Sequence, residues 1–211
     1  RVTDIYVQNE HHIWFAYKES TSFSLPPTRG VLLLNDRGTP ADLTDDIWTD
    51  YPVREDGTGG SVVIDAQGRT WFGNSMGIFR YDGSQWQSLS QCAIGDLAAT
   101  ADGIVYAASR CNSAPSTILA VATDDSTLQF TIEELVESRF ATLRTANRNH
   151  IWTVSPDGAI WYAQGTKVYR RDVQGLQSYA TPTGEEGINA IEIDSNNHVW
   201  VIYQSSLWRM S

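Results

Sequence analysis

The chain has 211 residues, a formal net charge of −10 and a sequence pI of about 4.7, which argues against a nucleic-acid binder because such proteins are normally basic. A hydrophobic content of 41% and an aromatic content of 11% exclude a disordered or low-complexity chain. No apolar run approaches the roughly 18 residues of a membrane-spanning helix. The chain opens on Arg1 without a recognisable signal peptide, so we expect a processed form or a fragment.

Five copies of one short frame follow each other along the chain. In the clearest copy, DAQGRTWFG, Asp65, Gly68 and Trp71 occupy positions 0, +3 and +6. Position 0 always carries a hydrogen-bond acceptor that can brace a turn, position +3 usually carries a residue that tolerates positive φ, and position +6 is always Trp or Tyr. We expect the aromatic residue to pack between sheets. The other copies are Gln8-His11-Trp14, with His11 the weakest fit, Thr100-Gly103-Tyr106, Ser155-Gly158-Trp161 and Asp194-Asn197-Trp200.

Each frame lies within a series of predicted strands. Residues at positions −3 and −1, such as Val62 and Ile64, are apolar in every copy, which is the period-two pattern of a strand with one face in a core. No segment of helical period exceeds about two turns, and the best helix candidate is residues 132–139. The second strands read IWFAY, TWFGN, VYAAS, IWYAQ and VWVIY. Third strands begin near Val31, Ile78, Ile118, Val168 and Leu207, and fourth strands are read at 48–51, 85–89, 128–132 and 176–179.

Four short antiparallel strands per repeat, each repeat with a large aromatic residue, predict an all-β fold, the five-bladed β-propeller. The last repeat reaches Ser211 directly after its third strand, so we expect the last blade to lack its own outer strand. Residues 205–211 would then leave an open sheet edge for a strand-pairing partner. We expect a single domain over residues 1–211, with blades at approximately 1–51, 60–90, 94–135, 150–180 and 187–211.

The stretch SVVIDAQGRTWFGNSMGIFRYDG resembles the repeat of two-component-regulator propellers, which occur in the sensor regions of bacterial receptors. The match covers residues 60–83 well and residues 151–172 and 188–210 in part. The partial copies also resemble the repeats of streptogramin-lyase-like propellers. These resemblances imply the fold strongly and the function weakly. Sensor regions of the first family usually carry more than five blades, which implies either a small ring or part of a larger one.

Strand order decides which loops share a face of the predicted blades. The turns between first and second strands lie on one face, whereas the loops between second and third strands, and those leading to the next repeat, lie on the other, which we call the insert face. Two loops of the insert face are long, after Trp14 and after Tyr106. Such loops on a rigid scaffold are a common origin of binding sites. The predicted ligand-binding residues on them are Tyr17, Arg29, Asn74, Met76, Arg110, Asn112, Gln164, Lys167 and Tyr203.

The two cysteines flank the first two strands of the third repeat. Cys92 precedes the first strand and Cys111 follows the second. Neighbouring antiparallel strands bring these ends together, so a disulfide is geometrically reasonable, and a pair of free thiols is the alternative. An oxidised pair would indicate a periplasmic, secreted or cell-surface location.

No motif identifies an enzyme, a metal site or a cofactor site. The four His show no zinc spacing, and acidic pairs such as Asp45-Asp46 lack the spacing of an EF-hand loop. We therefore expect neither a metal nor a cofactor. The residues that an enzyme would use are carboxylates of one parity on the predicted innermost strands, and a hydrated channel rim is the other interpretation of them. These residues are Asp4, Asp96 and Glu192.

The sequence favours a non-catalytic, extracytoplasmic recognition or sensor propeller. It would bind a small ligand, a glycan or a protein partner through the loops of the insert face. The first alternative is a propeller enzyme, a lyase or a glycosidase, with channel carboxylates. The second is a structural subunit of a larger assembly, docking through residues 205–211.

Overall fold

The structure is a computed structural model. It describes residues 2–18, 29–53, 60–90, 93–101, 103–110, 117–121, 127–130, 152–164, 166–172, 174–181, 188–194, 196–203 and 206–210. Every regular element in these ranges is a β strand, so the all-β prediction is confirmed. Among them no helix is long and apolar enough to cross a membrane. The helix candidate at 132–139 lies outside the described residues.

The described strands form five antiparallel sheets, in each of which strands adjacent in sequence pair. The first sheet contains β1 (Val2–Asn9), β2 (His12–Lys18), β3 (Arg29–Asn35) and β4 (Ile47–Pro52). The second contains β5 (Ser61–Ile64), β6 (Thr70–Asn74), β7 (Gly77–Tyr81) and β8 (Trp86–Ser90). The third contains β9 (Ala93–Ala99), β10 (Val105–Arg110), β11 (Thr117–Val121) and β12 (Thr127–Phe130). The fourth contains β13 (Trp152–Val154), β14 (Ile160–Gln164), β15 (Lys167–Asp172) and β16 (Gly175–Ala180), and the fifth contains β17 (Ile188–Ile193), β18 (Val199–Tyr203) and β19 (Ser206–Met210).

The number of blades differs from the prediction. Four of the described sheets are four-stranded antiparallel meanders, the form of a propeller blade, so the predicted five blades are corrected to four complete ones. The fifth sheet has three strands, β17, β18 and β19. The first four repeats each carry a fourth-strand pattern after their third strand, and the described residues supply no fourth strand to the fifth sheet.

The strands cluster in two compact units. The first comprises Arg1–Ala99 and Gly103–Thr131, and the second comprises Thr100–Asp102 and Ile132–Ser211. The first unit therefore holds the first three sheets, and the second unit holds the fourth and fifth.

In the first unit the second sheet is buried on both faces. Alternation along β5 sends Val62 and Ile64 into a cluster shared with the first sheet, and Val63 into a cluster shared with the third. On β6, Trp71 packs into the cluster shared with the third sheet and Phe72 into the cluster shared with the first, and both are fully buried. The prediction that Trp71 packs between sheets is confirmed. A corresponding cluster joins the fourth and fifth sheets of the second unit, from Ala163, Val168, Ile188, Ile191, Val199, Val201 and Tyr203.

The position-0 side chain of the frame does more than brace its turn. Asp65 Oδ1 accepts the backbone N–H groups of Gln67 at 3.0 Å and Arg69 at 2.9 Å, as the turn prediction requires. Its Oδ2 also accepts the indole N–H of Trp71 at 2.8 Å and Nε–H of Arg69 at 2.6 Å. One buried carboxylate therefore fixes both the turn and the large aromatic side chain of the next strand.

Two further repeats use the same bond between position 0 and position +6. The indole N–H of Trp14 donates to Gln8 Oε1 at 2.9 Å, and that of Trp200 donates to Asp194 Oδ2 at 3.0 Å. This indole donor, followed by the backbone N–H of His198, holds the pKa of the Asp194 carboxyl well below its usual range. A neutral amide and a carboxylate serve equally as acceptors, so the frame requires an acceptor rather than a charge.

Positive φ at position +3 is confirmed where the frame predicted it, with φ of 77° at Gly68, 93° at Gly103, 80° at Gly158 and 62° at Asn197. In the first repeat a different residue stabilises the turn. There the Oδ1 atom of Asn9 accepts the backbone N–H groups of His11 and His12 at 2.9 Å each.

Candidate functional site

A polar cluster lies where the first strands of three sheets in the first unit begin. Asp4 on β1, Ser61 on β5 and Asp96 on β9 all occupy position −4 of their repeats. Because the three strands begin at the insert face, equal positions place these side chains at the same end of neighbouring strands. We call Asp4, Ser61 and Asp96 the inner-strand cluster.

Ser61 connects the two carboxylates. Its Oγ lies 2.7 Å from Asp4 Oδ2 and 3.1 Å from Asp96 Oδ1, and the residue is only 2% exposed. A hydroxyl has one proton, so Ser61 donates to one carboxylate at a time. As an acceptor, the same oxygen receives the backbone N–H of Leu97 at 3.1 Å.

Backbone amides hold both carboxylates in place. Asp4 accepts the N–H groups of Ile5 at 2.9 Å and Val62 at 3.0 Å, and Asp96 Oδ1 accepts that of Leu97 at 3.0 Å. The bond from Val62 joins the second sheet to the first. The cluster is therefore a rigid, acceptor-rich patch that ties three sheets together at their insert-face end.

Next to the cluster, Thr3 adds a second polar tie between the first and second sheets. Its hydroxyl contacts the carbonyl of Gly60 at 2.9 Å and that of Ala16 at 3.2 Å. Asp4 and Asp96 were predicted as candidate site residues from the sequence, whereas Ser61 and Thr3 were not. The signal for Ser61 was available, since it shares position −4 with both carboxylates.

The third candidate carboxylate, Glu192, lies in the second unit. Glu192 is an exposed residue of β17, in the second unit, where it pairs with Trp200. The structure thus brings Asp4 and Asp96 to one hydroxyl, while Glu192 belongs to a different unit.

Three predicted ligand-binding residues lie at the insert-face ends of the first two sheets. Tyr17, near the end of β2, donates its hydroxyl to Asp50 Oδ1 at 2.8 Å. Asn74 is fully buried, and its Oδ1 accepts the N–H groups of Met76 at 2.8 Å and Gly77 at 3.2 Å, so it shapes the turn between β6 and β7. Met76, at the tip of that turn, is 45% exposed and offers the contact surface that Asn74 does not.

The remaining predicted residues divide into described and undescribed groups. Lys167 is exposed at the start of β15, whereas Tyr203 is 6% exposed and belongs to the apolar cluster of the second unit. Only the backbone is described for Arg29, Arg110 and Gln164, which lie at strand ends. Asn112, Cys92 and Cys111 lie outside the described residues, as do the long segments 19–28 and 111–116 of the insert face.

Within the described ranges, no group of three or more His, Cys, Asp or Glu side chains is arranged to hold a metal ion. The chemistry that the inner-strand cluster offers is acceptance of hydrogen bonds and interaction with positive charge.

Comparison with known proteins finds likeness in structure but not in sequence. No family model matches the chain, and no curated protein matches it. The extracellular domain of a putative hybrid two-component system from B. thetaiotaomicron superposes with a TM-score of 0.58 at 13% identity, over 98% of this chain and 27% of that one. A protein of unknown function from Bacteroides caccae gives a TM-score of 0.57 at 16% identity, over 96% of this chain and 69% of that one.

A third solved structure is PorZ, a bacterial surface component of the type-IX secretion system of Porphyromonas gingivalis. It gives a TM-score of 0.50 at 14% identity, over 100% of this chain and 34% of that one. The chain therefore spans about a quarter of the two-component protein's solved length and about a third of PorZ's. At these identities the likeness concerns the fold alone. The propeller-like sheets of this chain are similar to those of extracellular sensor-type domains and surface components.

Proposed function

We propose that this chain is a non-catalytic, extracytoplasmic recognition module that binds a hydroxyl-rich ligand, such as a neutral glycan, at the insert face. The single observation that carries the proposal is the inner-strand cluster. Ionised carboxylates only accept hydrogen bonds, and sugar hydroxyls are donors that suit them. The backbone amides preorganise the cluster, which lowers the entropic cost of binding. Likeness to extracellular and surface domains supports the location.

The test is loss of ligand binding in variants of the cluster. A thermal-shift screen of neutral oligosaccharides identifies a probe, since a bound ligand raises the melting temperature. Titration calorimetry then compares the wild type with Asp4→Asn, Asp96→Asn and the double variant. Each removed charge is expected to weaken binding about tenfold or more, because hydrogen bonds to charged groups contribute about 1.5–3 kcal/mol.

Asp82→Asn is the matched control. Asp82 is an exposed carboxylate in the turn between β7 and β8, at the opposite end of the second sheet. Its substitution is expected to leave oligosaccharide binding unchanged. If the cluster variants bind as tightly as the wild type, or if no oligosaccharide raises the melting temperature, the glycan proposal is wrong.

A second candidate function is a glycosidase or lyase, and one observation favours it. Asp4 and Asp96 contact the same hydroxyl, so two carboxylates lie close together at one site. Against it, both carboxylates accept backbone N–H groups, which suits a fixed acceptor better than a proton donor. Turnover of aryl glycosides that disappears in Asp4→Asn and Asp96→Asn, but not in Asp82→Asn, would decide for the enzyme.

We also propose that Cys92 and Cys111 form a disulfide, in keeping with an extracytoplasmic location. The last described pair of β9 and β10 is Ala93 with Arg110, the residues next to the two cysteines in sequence. We expect the purified chain to be lighter than its reduced form by two hydrogens. It should take up iodoacetamide in denaturant only after reduction, and reduction should lower its melting temperature. Alkylation of both thiols without prior reduction would show free cysteines instead.

A further inference from the structure

The outer edge of β19 carries no paired strand within the described part of the chain. The same edge of β3, β7, β11 and β15 is covered by β4, β8, β12 and β16. An unpaired edge presents backbone N–H and C=O groups that template another strand. Leu207 and Trp208 of β19 are 63% and 39% exposed, so apolar side chains remain in water beside that edge. The strands that complete the other sheets indicate what would complete this one.

In a complete sheet, three residues that pair across the second, third and fourth strands show which side chain the fourth strand places opposite the third. In the second sheet Trp71 pairs with Arg80, and Arg80 pairs with Gln87. The guanidinium of Arg80 lies 5.6 Å from the centre of the Trp71 ring and donates to Gln87 Oε1 at 2.8 Å. The Gln of the fourth strand therefore positions a cation that packs on the aromatic side chain of the frame.

The fourth sheet repeats the pairing of this triplet, and the fifth contains two of its three members. Trp161 pairs with Arg170 and Arg170 with Gln177, and the guanidinium lies 5.9 Å from the centre of the Trp161 ring. There Arg170 donates to Asp157 and Asp172, and Gln177 Oε1 accepts the hydroxyl of Tyr179 at 2.8 Å, so the bond between Gln and Arg is described in the second sheet. In the fifth sheet Trp200 pairs with Arg209, which is exposed. Within the described residues, no strand supplies the Gln.

Three fourth strands, β8, β12 and β16, share a sequence pattern around a Gln, whereas β4 contains none. An apolar residue comes before it, and another follows two residues after it in β8 and β16. In β16 this second apolar residue is Tyr179, which pairs with Val168 and stacks on Trp161 at 5.5 Å. Leu207 takes the place of Val168 in the fifth sheet, seven residues after its Trp. The segments are Trp86-Gln87-Ser88-Leu89, Leu128-Gln129-Phe130 and Leu176-Gln177-Ser178-Tyr179.

We propose that the outer edge of β19 binds one antiparallel strand of a partner polypeptide with the pattern apolar–Gln–x–apolar. Its Gln lies opposite Arg209 and its second apolar residue opposite Leu207. The described strands with this pattern, β8 and β16, are already paired within their own sheets, so the occupant comes from outside them. A second copy of the chain offers the β19 edge itself, and Ser206–Met210 contains no Gln.

The experiment uses the sequence of residues 84–90, whose central Gln accepts a hydrogen bond from Arg80 in the second sheet, as a fluorescein-labelled peptide, SQWQSLS, added to the full 211-residue chain. Fluorescence polarisation is expected to show saturable binding. Changing the central Gln of the peptide to Ala should weaken it about tenfold or more, the range for a hydrogen bond to a charged group. Arg209→Ala should weaken the unchanged peptide by a similar factor, and the two changes together should cost little more than either one.

Two controls separate recognition from general effects. Arg37→Asn removes another exposed cation, at a turn position with φ of 55° that Asn tolerates, and should leave binding unchanged. A peptide of the same composition in scrambled order should not bind. If Arg209→Ala fails to fold, as judged by circular dichroism, the peptide substitution still tests the contact.

The proposal is overturned if the peptide does not bind saturably, or if the Gln→Ala peptide binds as well as the original. It is also overturned if the chain forms a concentration-dependent dimer that Leu207→Glu disrupts and excess peptide does not. That result would assign the edge to a second copy.

Discussion

Replacing Asp65 with Leu is expected to destabilise the chain by about 3–5 kcal/mol, the cost of removing one partner from a buried, hydrogen-bonded charge pair. The Asp65 side chain is fully buried and accepts four hydrogen bonds, two from backbone N–H groups, one from Arg69 and one from the Trp71 indole. Leu leaves all four donors without their acceptor. Urea unfolding followed by tryptophan fluorescence measures the loss.

The matched substitution is Asp65→Gln. Gln8 performs one part of this task in the first repeat, where its amide oxygen accepts the Trp14 indole while Asn9 braces the turn. The Gln variant should therefore lose well under half as much stability as the Leu variant, although it forgoes the charge opposite Arg69. Trp71→Phe completes a double-mutant cycle that isolates the indole bond. Equal losses for Leu and Gln at position 65 would show that this bond does not hold the blade together.

Ile94→Ala is expected to cost about 2–5 kcal/mol by itself, because it empties space between the second and third sheets. Gly73→Ala is expected to cost about 1–3 kcal/mol for the opposite reason, overpacking. A Cβ at position 73 would lie 2.5 Å from Cγ2 of Ile94, a β-branched side chain that is itself 4% exposed and cannot swing aside.

Combined, the two substitutions should cost clearly less than their sum, since the added methyl occupies part of the space that the isoleucine leaves. Ala occupies the equivalent position in three other repeats, at Ala16, Ala108 and Ala163, so the backbone itself accepts a Cβ there. Thermal and urea unfolding of the four variants completes the cycle. Strict additivity would mean that the clash is relieved elsewhere, by movement of the sheets.

The frame made the fold readable from sequence because its requirements are local. A turn acceptor, a positive-φ residue and an aromatic at position +6 lie within seven residues, and φ of 77° at Gly68 and 62° at Asn197 follows directly. The bond between Asp65 and Trp71 was missed, since the same acceptor was already accounted for by its turn. The number of blades was overestimated because every frame was counted as a blade, including the last one, whose predicted lack of a fourth strand leaves it a three-stranded sheet.

The site was only partly readable, because exposure and pairing between repeats are not local. Equal positions in different repeats predicted that Asp4 and Asp96 lie at the same end of their strands. The hydroxyl that joins them belongs to Ser61, which is uncharged and was therefore not among the candidate carboxylates. Asn74 and Tyr203 sit on the expected face by strand order, yet one shapes a turn and the other packs into a core. Strand order gives the end of a strand at which a residue lies, while neighbouring sheets decide whether water reaches it.

The bond between position 0 and position +6 has an evolutionary consequence. In the repeats of Trp14, Trp71 and Trp200 the acceptor lies six residues before the indole, so donor and acceptor are encoded together. A tandem duplication of one repeat would carry its own turn brace and its own anchored aromatic. Contacts such as Gly73 with Ile94 join different repeats and would have to adapt afterwards by point mutation. A single recombination event in the gene can therefore change the number of blades in the protein, and later point mutations can improve the packing between neighbouring sheets.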